Sequence, residues 1–177
     1  MKNSKSESSK WLEAYLARHT GVTIYDIDSD EYQPIKNFTW IWNIFENKFF
    51  KRRCTAKELY EAAHLTLDNT IADETFNLFK DRYASDNNVN DKFSSLLLDE
   101  GYKDGVKRIL CSDNPTIEEK NKACRMIIQR LRNNLFHGNK EVGNLINQTE
   151  LFKIVDNYLI NLIDTVTKPN TVPAQSN

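Results

Sequence analysis

The run Phe38-Thr39-Trp40-Ile41-Trp42-Asn43-Ile44-Phe45 admits two readings, and the choice between them decides the fold. Its alternation suits a half-buried β-strand. The residues that follow favour a helix, because Phe38, Ile41, Trp42, Phe45 and Phe49 fall on one helical face and a strand reaching Phe49 would be abnormally long. Pro34 suits the first turn of such a helix, which is expected to run to about Arg53. Trp40 and Ile44 widen the apolar stripe, so this helix is expected either at the centre of the fold or at a subunit contact. Its tryptophans read as core packing ahead of a ligand pocket.

The rest of the chain agrees with helix. Its 177 residues include only five glycines and four prolines, too few for the turns that an all-β domain of this size needs. The composition, 40% hydrophobic and 28% charged, is that of a globular protein with one core. The ends, 1–10 and 168–177, are polar and read as flexible tails around a single domain at 11–167. Within it, Trp11, Leu12, Tyr15 and Leu16 predict a first short helix ending before Gly21, and 21–33 reads as irregular. Thr55-Ala56-Lys57-Glu58 is a capping box opening a long helix to about Tyr83, with a break expected near Asp68 to Asp73. Asp86-Asn87-Asn88 reads as a loop, and Phe93 to Leu98 and Gly105 to Leu110 as shorter helical pieces. A second capping box, Thr116-Ile117-Glu118-Glu119, starts a helix with Cys124, Ile127, Ile128, Leu131 and Leu135 as its buried stripe and Gly138 as its stop. A final amphipathic helix starts at Asn147-Gln148-Thr149-Glu150. The fold class is all-α, an up-and-down bundle of about five to seven helices.

Composition also narrows the function classes. Cys54, Cys111 and Cys124 are odd in number and widely spaced, which suggests neither a disulfide framework nor a zinc site and fits a reducing cytoplasm. No apolar run reaches the length of a membrane span, and no secretory leader is legible. A net charge of −1 argues against coating nucleic acid through overall charge. The charge is nonetheless uneven: Lys120, Lys122, Arg125, Arg130, Arg132 and Lys140 lie in one stretch without an acidic residue, on an otherwise acidic chain. Such a cluster taken alone reads as a solvated helix face.

Within that stretch stands Arg132-Asn133-Asn134-Leu135-Phe136-His137-Gly138. It resembles the signature of the HEPN superfamily, in which an arginine, a polar residue, three further residues and a histidine close a long helix of a four- or five-helix bundle. What the resemblance implies is a HEPN-like bundle with metal-independent endoribonuclease activity, needing no cofactor and no metal. The 2′-hydroxyl of RNA attacks the adjacent phosphate and leaves a 2′,3′-cyclic phosphate. His137 would be the base, since an imidazole near its ordinary pKa accepts a proton at neutral pH. Arg132 would hold the scissile phosphate through its forked, permanently charged guanidinium, and Asn133 would orient either group. Arg130, Arg125, Lys140 and Asn134 are the candidate RNA contacts around them.

Two features stay open at the level of sequence. On an ideal helix Arg132 and His137 diverge by about 140°, whereas Arg130, Asn133 and His137 share a face, so either arginine can be the one on the scissile phosphate. The departing 5′-oxygen needs an acid, yet His19 and His64 are remote and read as structural or surface residues. A homodimer would bring a second Arg132 and His137 to the same cleft. The resemblance thus implies a toxin or phage-defence effector acting on RNA, with a regulatory or antitoxin protein to restrain it. The alternative is a catalytically inactive HEPN domain that binds nucleic acid or protein. A weaker one is a helical adaptor that docks a partner on its Trp40 or Trp42 face. Without the resemblance, the segment reads as a basic helix C-terminus that complements the helix dipole.

Overall fold

The computed structural model describes residues 6–19, 29–50, 54–67, 70–136 and 148–167. Its elements are α1 (Glu7–His19), a short 3-10 turn (Asp30–Tyr32), α2 (Gln33–Phe49), α3 (Ala56–Glu61), α4 (Thr70–Tyr83), β1 (Ala84–Ser85), β2 (Asn88–Val89), α5 (Asp91–Ser94), α6 (Glu100–Leu110), α7 (Ile117–Phe136) and α8 (Thr149–Thr167). The architecture is an all-α bundle. Among the described residues it holds eight α-helices, one more than the sequence suggests. No helix among them is long and apolar enough to cross a membrane.

Local chemistry explains most boundaries. Ser6 Oγ accepts from the Ser9 amide and starts α1 earlier than Lys10, so residues 7–10 are helical and not part of a tail. Pro34 sits in the first turn of α2. Both capping boxes form: Thr55 Oγ1 accepts from Glu58 N, Thr116 Oγ1 accepts from Glu119 N, and each glutamate carboxylate accepts the threonine amide in return. Asp86 and Asn87, at φ 50° and 59°, make the two-residue turn of a minimal antiparallel hairpin, Ala84 opposite Val89 and Ser85 opposite Asn88.

α7 is the central element. Residues 123 to 129 of this helix are all buried, including Arg125 and Gln129. α3, α4 and α6 pack on it, and α2 packs on α8. The centre is therefore not α2, whose outer face leaves Trp40 72% and Ile44 54% exposed while Phe38, Trp42 and Phe45 enter the core.

The long helix expected after Thr55 is a second correction. α3 ends at Glu61 after only six residues and α4 begins at Thr70. Polar side chains spaced four apart on α7 explain the interruption. Arg125 donates through Nε to Leu59 O and through Nη1 to Leu65 O. Asn121 is fully paired: Nδ2 donates to Leu67 O and Ile117 O, while Oδ1 accepts from Leu67 N and the Tyr158 hydroxyl. Gln129 Nε2 donates to Cys54 O. Backbone groups that a continuous helix would satisfy internally are satisfied here by α7, which holds 54–67 as an irregular strap.

The piece expected from Phe93 to Leu98 is likewise shorter. α5 covers Asp91–Ser94, capped by Asn90 Oδ1, and the chain then turns through Leu97, a leucine at φ 54°. α6 reaches back to Glu100, and Gly105 lets it approach α3, because a Cβ there would lie 2.6 Å from the Tyr60 hydroxyl.

Candidate functional site

The basic stretch divides once its residues are placed. Arg125 is 1% exposed, with Nε and Nη1 donating to the Leu59 and Leu65 carbonyls, so it is a core residue and not an RNA contact. Asn134 is also 1% exposed, and its Nδ2 donates to Ser95 O at 3.4 Å. Both are corrections to the sequence reading, and the cause is common. A helix buried all round turns polar side chains inward wherever a neighbouring backbone needs a partner. Lys120 pairs with Asp73 at 2.7 Å and Lys122 lies over the Tyr60 ring at 4.7 Å.

Three of the proposed residues do meet. Arg130, Arg132 and Asn133 line one cleft of about 320 Å³ at the C-terminal end of α7. Arg130 and Arg132 leave the helix about 160° apart, so it is their long side chains and a cleft that wraps the helix end that let both take part. Arg130 is anchored by Nε to Leu96 O at 2.9 Å, and Arg132 Nη1 donates to Asn133 Oδ1 at 3.1 Å. The choice between the two arginines therefore does not arise from access. His137 and Lys140 lie outside the described residues, as does Gly138. His64 is exposed, in keeping with a surface role.

The same cleft is lined by residues that the sequence reading did not connect with this site. Trp42 and Glu46 come from α2, Cys54 and Thr55 from the entry to α3, and Asp99 from the start of α6. Glu46 Oε1 accepts from Cys54 N at 2.9 Å, which fixes the carboxylate. Asp99 is exposed and makes no side-chain cap to α6. The indole of Trp42 is 2% exposed, and its Nε1 has no hydrogen-bond partner among the described residues. Trp42 and Glu46 are four apart on one helix face, the only sign of this lining in the sequence.

Burial, followed by the Glu46 and Glu58 carboxylates, pushes the Cys54 thiol up to about 12, against a smaller opposing effect of Arg132. Cys54 is thus protonated at neutral pH and is no nucleophile. Among the described residues no group of three His, Cys, Asp or Glu side chains is placed to hold a metal ion. The cleft can grip an anion with two guanidiniums and, at the same time, accept hydrogen bonds on two carboxylates.

Compared with protein-family models, with curated proteins and with solved structures, the chain gives no match.

Proposed function

We propose that the protein is a metal-independent endoribonuclease of HEPN type, acting as a toxin or defence effector. The observation that supports this most is the gathering of Arg130, Arg132 and Asn133 on one cleft, at the helix end from which the chain continues to His137. In this reading the guanidiniums hold the phosphate. His137 takes the proton of the 2′-hydroxyl as its oxygen attacks phosphorus, and the bond to the 5′-oxygen breaks. The departing oxygen receives its proton from the same histidine of a second copy, so the active species is a homodimer. The products are a 2′,3′-cyclic phosphate and a 5′-hydroxyl.

The test is incubation of wild-type, Arg132→Ala and His137→Ala proteins with mixed RNA in EDTA, followed by analysis of product ends. Wild type is expected to yield cyclic-phosphate ends, with losses of about 10²–10⁴-fold in His137→Ala. Absence of cleavage by the wild type would overturn this reading in favour of an inactive binding domain.

A further inference from the structure

The cleft at the end of α7 is mixed in charge, and that mixture restricts its ligand. A site for phosphate alone gains nothing from Glu46 and Asp99 in the same cleft, since carboxylates repel an anion. A site for a cation is opposed by Arg130 and Arg132. The ligand that suits both kinds of group carries an anionic end and, beside it, an edge rich in N–H donors. Its volume of about 320 Å³ falls in the range of about 300–1,000 Å³ typical of small-molecule sites, room for one nucleotide unit and not for a duplex.

On the ribonuclease reading the ligand is RNA, and the four bases can be told apart by what they offer a carboxylate. Guanine alone presents two adjacent donors, N1–H and the N2 amino group, which carboxylate oxygens lining one cleft can accept together. Adenine and cytosine place a ring acceptor beside their amino group, and uracil flanks its single N–H with two carbonyls. A carboxylate repels each of these neighbours. Trp42, one helical turn before Glu46, lines the same cleft, so its indole signal reports what enters it. Glu46 is held by Cys54 N through Oε1, leaving Oε2 for the base.

We infer that this cleft is a guanine-nucleotide subsite, with Glu46 and Asp99 accepting from the base edge and Arg130 and Arg132 holding the phosphate. The inference rests on the ribonuclease reading only for the substrate being RNA, and its test does not require cleavage. The full chain is titrated with 3′-GMP, 3′-AMP, 3′-CMP and 3′-UMP by calorimetry, and with 3′-GMP while the three tryptophan indole N–H signals are followed by NMR, Trp42 being assigned with Trp42→Phe. The expected result is that 3′-GMP binds about tenfold or more tightly than the others and shifts the Trp42 signal. Glu46→Gln keeps an acceptor for Cys54 N but turns a donor towards the base, and is expected to abolish the preference. Asp99→Asn, at an exposed position, is expected to weaken it and serves if Glu46→Gln does not fold. Equal affinity for the four nucleotides, or none for any, overturns the inference. Binding of 3′-GMP by a protein that cuts no RNA would sink the ribonuclease reading and keep the subsite; cleavage without base preference would do the reverse.

Discussion

Asp156 lies on α8 with 7% of its surface exposed, and its Oδ1 has no hydrogen-bond partner among the described residues. Burial alone pushes its pKa up to about 7. The folded state therefore holds this proton over a range in which the unfolded chain has lost it, and stability falls as pH rises from about 4 to about 7. Asp156→Asn removes the penalty. Urea denaturation is expected to show the variant gaining on wild type by up to about 4 kcal/mol at pH 8, with the gain fading towards pH 4. A gain of equal size at both ends would show that the carboxyl is not the cause. At this scale Arg130, Arg132 and Asn133 share a cleft, although closeness in the chain does not by itself put two arginines on opposite sides of a helix into one site. The sequence was not legible at Arg125 or Asn134, because a basic or amide residue does not reveal whether its partner is solvent or a carbonyl tens of residues away.

The helices show where periodicity succeeds and where it fails. Apolar spacing with local caps located α2, α7 and α8 well, since those signals are contained in the segment itself. The same signals misjudged 55–83, because the break after Glu61 is imposed by Asn121, Arg125 and Gln129 of α7. Arg125→Met leaves the Leu59 and Leu65 carbonyls without their donor. It is expected to cost about 2–4 kcal/mol in a denaturant titration and to speed amide hydrogen exchange selectively over 59–67. Unchanged protection in that segment would mean that α7 does not hold the strap. The part of the cleft formed by Glu46 and Asp99 was hidden for a similar reason, since only the packed bundle brings 46, 99 and 130 together.

For the molecule as a whole, the tryptophans separate inside from outside. Trp11 and Trp40 are 64% and 72% exposed, while Trp42 is 2% exposed. Acrylamide is expected to quench Trp40 readily in a dilute sample and to spare Trp42, as Trp40→Phe and Trp42→Phe variants would resolve. If Trp40 instead becomes protected as concentration rises, in step with a doubling of mass in sedimentation, the outer face of α2 is the subunit contact. The bundle itself was readable from the scarcity of glycine and proline, whereas its centre was not, because burial on every side of α7 depends on how many helices choose it as neighbour.

The strap also bears on the order in which the molecule assembles. Its partners on α7 stand 54 to 75 residues further along the chain. As synthesis proceeds from the N-terminus, 54–67 emerges long before the α7 side chains that hold Leu59, Leu65 and Leu67, and a six-residue helix does not persist alone in water. The part of the cleft that begins at Cys54 is therefore completed late, after Gln129 has been made.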